Sequence, residues 1–315
     1  MNVVVILIDT LRYDCAYLIP QFNELAERGW FFERMYGGAT YTYANISTIN
    51  SGLYPMSHNC RMNTNRLGEE ATLCKELERA GYYISNSLDF ARWPGLEYAG
   101  HIIRPEKEPF FRFCWCMNAH GGAHPYTYGG VPRPEYEDAV RTCIPWMDNA
   151  LELFSDSLIL MLGDHGVALE EDAFRLKEGV HDVGCDQVYD FRIRVPCVLA
   201  GPTLEHRVIT ESYSQADVMP TILDILGLPI PEGLDGKVVG QRKKPVFLEA
   251  QSPHGLWPSN EPNVFGATDG KLKVMLTPDG WRCYDLISDP GETIDRPDLM
   301  ERAQPLIAKI RERIG

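Results

Sequence analysis

The chain has 315 residues, 44% of them hydrophobic, and a formal charge of −14 with a pI near 5.0. That length supports a large hydrophobic core, as one big α/β domain or a domain with a smaller appendage. The acidic balance excludes nucleic acid and an anionic membrane surface as main partners, since both require a basic face. An anionic substrate would therefore need a local cation, and bound metal is the obvious one. Nine cysteines, an odd number scattered through apolar segments, read as free core thiols rather than a secreted disulfide framework. The apolar run Val3 to Ile8 is too short to span a membrane and has no basic leader, so the sequence predicts a cytoplasmic protein.

Asn2 to Asp9 is a β-branched run ending in an acid, the pattern of a strand buried on both faces with a carboxylate at its C-terminal edge. Pro20 to Gly29 starts with Pro and ends with Gly, which predicts a helix, and Trp30 to Tyr36 predicts a second strand. A helix is expected from Thr42 to Ser51, closed by Gly52 and Pro55. Thr42 then lies at or just before its first turn, where backbone N–H groups and the helix dipole favour an anion, and Asn45 lies three residues on, on the same face. A hydroxyl beside an amide is what attack on a phosphoryl or sulfuryl centre needs, one as nucleophile and the other as donor to the developing oxyanion. Taken by itself the segment is more simply read as an N-cap threonine with an incidental asparagine.

Ala71 to Gly81 repeats the helix-then-Gly pattern before a strand from Tyr82 to Ser85. Phe110 to Met117 reads as a buried strand, which discounts Cys114-x-Cys116 as a metal or redox pair, and it ends in the polar cluster Asn118 to His124. A long helical pattern runs from about Pro134 to Phe154. The strand Ser157 to Leu162 then leads into Gly163-Asp164-His165-Gly166, two ligand-type residues between glycines that permit a sharp turn. Lys177 to His181 belongs to no recognisable element; Val195 to Ala200 predicts one more strand and Ala216 to Leu226 a helix. Alternation of strand and helix predicts a largely parallel sheet with its site at the carboxyl edge. From Pro245 onward, short β-type runs (Val246 to Glu249, Asn263 to Thr268, Lys271 to Leu276, Arg282 to Leu286) are separated by Asp-Gly and Pro-Asp-Gly. These signal antiparallel hairpins, closed by a C-terminal helix from Pro297 to Ile314. The expected organisation is a catalytic core over 1–240 and a small subdomain over 241–315.

Six features occur in family order: Asp9 after the first strand, the Thr42 helix ending in Gly52-Leu53-Tyr54-Pro55, Gly163-Asp164-His165-Gly166, Arg194-Val195-Pro196, Asp217-Val-Met-Pro-Thr221, and Tyr284 to Glu292. Through them the chain resembles the sulfatase branch of the alkaline phosphatase superfamily from near residue 1 to about residue 292. The resemblance implies an α/β, alkaline-phosphatase-like sandwich: a mostly parallel central sheet with helices on both faces, plus a small C-terminal antiparallel subdomain. Sulfatases carry Cys or Ser followed by x-Pro-x-Arg, thirteen residues before the Pro of Gly-x-Tyr-Pro. That count back from Pro55 reaches Thr42, followed by Tyr43, Ala44, Asn45 and Ile46, so the Pro and Arg of the formylglycine signal are missing. Threonine, a secondary alcohol, would not give the aldehyde. The Thr-x-x-Asn arrangement with Gly-Leu-Tyr-Pro-x-Ser-His is instead similar to the nucleotide pyrophosphatase/phosphodiesterase branch, which implies Thr42 as nucleophile and Asn45 as oxyanion donor.

The resemblance further implies Asp9, Thr42, Asp164 and His165 as ligands of one divalent ion. Oxygen and imidazole donors suit zinc or manganese, which would lower the pKa of the Thr42 hydroxyl. Thr10 stands where sulfatases carry a second acid, which argues against a calcium-type carboxylate cage. A second ion is one reading of His120 and His124, with His181, His206 or His254 as third ligand. The other, preferred for His124, is contact with the ester or leaving group, as in the His-Pro-Tyr region of sulfatases. His181 falls where family members place a Lys or His near the leaving group, whereas His58, His101 and His206 read as structural or exposed. The function expected is a metal-dependent hydrolase of small anionic phosphoric esters (phosphomonoester, phosphodiester or phosphonate ester) through a covalent phosphothreonine. The alternatives are a phosphotransferase or mutase, a protein acting on sulfate esters without formylglycine, and a non-catalytic sulfatase-like binding protein.

Overall fold

The computed structural model describes residues 1–62, 65–86, 102–122, 130–175, 187–241, 245–250 and 262–315. β1 (Val3–Ile8) is apolar and buried at all six positions, as an interior strand must be. Following it in the chain are β2 (Trp30–Tyr36), β3 (Tyr83–Asn86), β4 (Phe110–Cys116), β5 (Leu158–Gly163), β6 (Arg194–Val195), β7 (Cys197–Ala200) and β8 (Arg207–Ser214). Together they make an eight-stranded sheet in the order β3-β4-β1-β5-β7-β2-β6, with β8 paired to β2. β3, β4, β1 and β5 run parallel, as does β8 against β2, while β7 is antiparallel to both β5 and β2, and β6 to β2.

Side-chain alternation splits the core between the two faces of this sheet. Val4, Ile6 and Ile8 pack with Phe22 and Leu25 of the helix Pro20–Arg28, Tyr136 and Val140 of the helix Arg133–Arg141, and Trp146 and Met147 of the helix Ile144–Phe154. Val3, Val5 and Leu7 pack on the opposite face with Ile46 and Ile49 of the helix Thr42–Ser51, Leu73 and Leu77 of Leu73–Arg79, and Ile222 and Leu223 of Val218–Ile225. Several expected boundaries move at prolines. The helix expected over Pro134 to Phe154 is two helices, the second with Pro145 in its first turn. The single strand Val195 to Ala200 is divided at Pro196, whose carbonyl accepts from Gly163 N at 3.0 Å. The C-terminal helix begins only at Gln304, after a short 3-10 turn at Pro297–Leu299. β8 was not anticipated, because its solvent-facing positions leave it without a clean apolar alternation.

The second sheet is antiparallel, β12-β11-β10-β9, formed by β9 (Val246–Ala250), β10 (Val264–Thr268), β11 (Leu272–Thr277) and β12 (Gly280–Asp285). Thr277 pairs with Gly280 across Pro278-Asp279, and Gly280 takes φ 117°, a left-handed value that suits glycine. The helix Gln304–Ile314 covers this sheet through Leu306, Ile307 and Ile310. Two buried polar contacts tie it to the main sheet. Glu249 of β9 pairs with Ala39, donates its N–H to Gly38 O at 3.0 Å, and accepts from Arg61 Nε at 2.6 Å. Lys273 of β11, fully buried, holds Asp190, Glu292 Oε1 at 2.9 Å and Val188 O at 3.1 Å. Burial alone would lower the Lys273 pKa, but Asp190 and Glu292 outweigh it and keep the ammonium above its ordinary value. For Glu292 burial outweighs the attraction of Lys273, and its carboxyl is pushed up to about 7.

Replacing Lys273 by Met leaves the buried Glu292 carboxyl without its cation, while Asp190 keeps Arg194 Nη1 at 4.0 Å, and should cost about 3–5 kcal/mol, read as a lowered urea midpoint. Because the folded value of Glu292 lies above its ordinary 4.5, its contribution to stability is full below that pH and is lost as pH rises through about 7. Glu292→Gln should flatten that part of the stability profile.

Candidate active site

Strand register decides which polar side chains meet. Ile8 of β1 pairs with Gly163 of β5 and with Cys116 of β4, so the residues after β1 and β5, Asp9 and Asp164, emerge side by side at the carboxyl edge. Alternation from Leu7 and Leu162 turns both carboxylates to the face on which the Thr42–Ser51 helix packs. Ligand atoms of Asp9, Asp164 and His165 lie within 4.8 Å of one another. Thr42 is the first residue of its helix, with Tyr41 as N-cap, so its hydroxyl does not cap the helix. Thr42 Oγ1 instead lies 3.2 Å from His165 Nε2 and 3.5 Å from Asp9 Oδ2.

The backbone around the cluster is held in an unusual shape. Thr10 adopts φ 59°, a left-handed conformation rare for a β-branched residue. It points its N–H at Asp164 Oδ1 (2.8 Å) and its hydroxyl back to Asp9 O (2.7 Å). Tyr136 stabilises this turn from the other face, its hydroxyl donating to Thr10 O at 2.8 Å and accepting from Arg12 N at 2.9 Å. Gly163 and Gly166 are required by close approach, not by a left-handed turn. A Cβ would lie 2.6 Å from Leu11 O at Gly163, and 2.0 Å from Phe191 O at Gly166.

Two buried amides fasten the Asp164–His165 turn. Asn45 accepts from Ala39 N at Oδ1 (2.9 Å) and donates through Nδ2 to Ala39 O (2.7 Å) and Asp164 O (2.9 Å). Both of its amide hydrogens thus meet backbone carbonyls, so that in this conformation Asn45 anchors backbone. Gln215, unanticipated from sequence, donates through Nε2 to Gly163 O at 2.9 Å and Asp164 O at 3.0 Å. Trp115, likewise unanticipated, donates its indole N–H to Asp9 Oδ2 at 2.9 Å.

The donor set fits a divalent cation. Asp9 Oδ1 and Asp164 Oδ2 are buried without hydrogen-bond partners, and among the described residues no Lys or Arg forms an ion pair with either acid. Uncompensated buried charge is costly, and a metal ion is the natural counter-charge. His165 Nδ1 lies 2.9 Å from Gly166 O, a pure acceptor, which assigns the ring proton to Nδ1 and leaves the Nε2 lone pair facing the two acids. Without a cation, burial and then the Asp164 charge hold the Asp9 carboxyl well above the usual carboxylate range.

Among the other expected site residues, His120 is half-buried in the short helix Asn118–Gly122 and lies outside the three-residue cluster. Its pKa is lowered by burial, against the attraction of Asp164. His124, His181, His254 and His101 lie outside the described residues. His58 is structural: Nδ1 accepts from Cys60 N at 2.9 Å, Nε2 meets Thr48 Oγ1 at 3.1 Å, and burial first, then Arg61, lower its pKa to about 3. His206 sits at the surface against Ala26 O. The eight described cysteines are buried and none of them forms a disulfide. No helix among the described residues is long and apolar enough to cross a membrane.

Fold and cluster together define an α/β protein with a mostly parallel sheet and a group of ligand-type residues at the carboxyl edge of its parallel strands. A sequence model of the sulfatase family matches residues 1–90 and 96–228, and the chain belongs to that family, whose members are hydrolases. Arylsulfatase K from Canis lupus familiaris is 24% identical over 158 residues, 45% of this chain and 28% of that protein. Choline-sulfatase from Rhizobium meliloti is 28% identical over 150 residues, 44% and 27% respectively. The matched region thus spans just over a quarter of these curated relatives. Among solved structures, a 2-O GAG sulfatase superposes with TM-score 0.77 at 17% identity, covering 99% of this chain and 91% of its own. The phosphonate monoester hydrolase of Agrobacterium radiobacter superposes with TM-score 0.72 at 16% identity, covering 99% and 95%. At such identities the likeness is one of fold: a mostly parallel central sheet, helices and a separate small antiparallel sheet.

Asp9→Asn should abolish stoichiometric binding of a divalent ion and at the same time stabilise the metal-free protein at neutral pH. The sign follows from its raised folded pKa: the stability associated with this group is full below its ordinary 3.8 and is lost as pH rises. Thermal unfolding after chelation, with and without the substitution, checks it. Asp164→Ala should lose the ion as well, by elemental analysis.

Proposed function

We propose that this protein is a metal-dependent hydrolase of small phosphoric esters (phosphomonoester, phosphodiester or phosphonate ester), with Thr42 as a nucleophile that becomes phosphorylated in turnover. The observation that carries the reading is the position of Thr42 Oγ1, at the N-terminus of a buried helix and within 3.5 Å of both Asp9 Oδ2 and His165 Nε2. Asp9, Asp164 and His165, with Thr42 itself, would hold a divalent ion, and their oxygen and imidazole donors suit zinc or manganese. Such an ion supplies a Lewis acid that lowers the hydroxyl pKa and screens charge on the ester.

The protein's own groups account for the remaining steps. The helix N-terminus favours the anionic ester at Thr42. Thr42 Oγ1 attacks phosphorus as its proton passes to Asp9 Oδ2, 3.5 Å away. The P–O bond to the leaving alcohol breaks and that oxygen takes a proton from water, while Asp9 keeps the Thr42 proton to return it when the phosphothreonine is hydrolysed. Water then attacks the phosphothreonine, releasing phosphate and restoring the hydroxyl. Asn45 and Gln215 act by holding the Asp164–His165 turn against the Thr42 helix. His124 and His181 remain the proposed groups at the leaving-group side.

A second reading, hydrolysis of sulfate esters, is supported by the family and by the names of its relatives, Arylsulfatase K and Choline-sulfatase. Against it stand the missing x-Pro-x-Arg signal and a residue that cannot give formylglycine. Turnover of aryl phosphate, phosphodiester, phosphonate and sulfate esters, with and without added Mn²⁺ or Zn²⁺, separates the two. Phosphorus esters should be hydrolysed with metal present, and an acid-quenched reaction should carry phosphate on the peptide containing Thr42. Preference for sulfate esters together with an aldehyde at residue 42 or Ser47 would overturn the reading. Transfer of phosphate to an added alcohol in place of water would show a phosphotransferase.

Thr42→Ala should cost about 10³-fold or more in rate while leaving the fold in place and the ion on Asp9, Asp164 and His165, because the nucleophile goes but three of the four proposed ligands stay. Asn45→Ala should cost about 10²-fold, and should weaken metal binding too, which loss of a simple oxyanion donor would not do.

A further inference from the structure

Trp115 lies in β4, opposite Leu7 of β1, so its indole is on the same side of the sheet as the carboxylate of Asp9. It is nearly fully buried, and its N–H donates to Asp9 Oδ2 at 2.9 Å. The indole can only donate, so it engages a lone pair of the carboxylate without offering a competing ligand atom. Thr42 Oγ1 approaches the same Oδ2, while Asp9 Oδ1 is left buried and without a hydrogen bond. The other side of the indole meets the ring of Tyr43 edge to face, with centroids 6.1 Å apart and planes at 86°. Tyr43 is the residue immediately after the proposed nucleophile.

We propose that Trp115 is the positioning residue of the metal-nucleophile cluster, locking the Asp9 carboxylate so that Oδ1 is presented to the ion and setting the Thr42 helix against it through Tyr43. The inference rests on the metal-site reading of Asp9, Asp164 and His165. A carboxylate held at one oxygen by a charge-assisted hydrogen bond has a fixed rotation, whereas without the indole it can swing away from Asp164 and His165. Trp115 acts through Asp9 and Tyr43 and offers an ion no ligand atom.

The test is Mn²⁺ titration of the full chain by calorimetry, comparing wild type, Trp115→Phe and a control, Trp146→Phe. Trp146 is also buried, but its indole N–H makes no hydrogen bond and it packs on the opposite face of the sheet. Wild type should bind one ion per chain. Trp115→Phe should bind the same number about 10- to 100-fold more weakly, with thermal unfolding of the metal-free protein close to wild type, and Trp146→Phe should bind as wild type does. If Trp115→Phe fails to fold, replacing Trp115 with its sulfur isostere benzothienylalanine removes only the N–H and should show the same weakening. Wild-type binding with no weakening in the Trp115 variant, or equal weakening in Trp146→Phe, overturns the role of Trp115 alone. Absence of binding by wild type overturns the metal-site reading beneath it.

Discussion

Two carboxylates are forced together in a dry place, and much of the architecture is arranged around that constraint. Asp9 and Asp164 follow adjacent parallel strands whose register is set by six consecutive pairs of apolar residues. Sliding either strand by one residue would turn its carboxylate to the opposite face and its core side chains with it. The hydrophobic core therefore enforces a proximity that the charges themselves resist. The unsatisfied oxygens Asp9 Oδ1 and Asp164 Oδ2 are what remains of the conflict, and they are why a cation belongs there.

Around that pair, neutral groups do the positioning. Backbone N–H groups of Thr10 and His165 converge on Asp164 Oδ1, and the amides of Asn45 and Gln215 converge on the Asp164 carbonyl. Neutral donors can hold a carboxylate and its backbone without competing with an ion for charge, as an Arg or Lys in the same place would. The strained φ of Thr10 belongs to this arrangement, because only that turn brings its N–H to Asp164. Asn45 connects the Thr42–Ser51 helix to the Asp164–His165 turn, so one buried side chain ties the two segments together.

The small antiparallel sheet reaches the same region from outside. Glu249 of β9 extends the backbone pairing to Gly38 and Ala39, the segment that leads into the Thr42 helix, and is held by Arg61. Asn45 caps the other end of that contact through Ala39. The Lys273 cluster joins β11 to the Asp190 segment, which in turn leads to Arg192, whose carbonyl receives the N–H of Gly166. The small sheet thus braces both the segment leading into the Thr42–Ser51 helix and the Asp164–Gly166 turn, in addition to closing the fold.

Much was legible in the sequence alone where the signal is local. The buried run before Asp9, Pro20 and Gly29 at the ends of a helix, the exact span from Thr42 to Ser51, and the Pro-Asp-Gly hairpin all follow from patterns within about ten residues, and family order assigned the fold. Adjacent ligand-type residues such as Asp164 and His165 are visible for the same reason. Pro145 and Pro196 divided elements where apolar pattern continued across them, since periodicity registers side chains and not a missing backbone donor. What only the tertiary structure decided comes from strands distant in sequence: Trp115 reaches Asp9 across 106 positions and Gln215 reaches Asp164 across 51. The contacts of Asn45 were also decided there. Its spacing from Thr42 is a local fact, but whether its amide hydrogens are free depends on which carbonyls the folded chain brings to it, and the fold brings two.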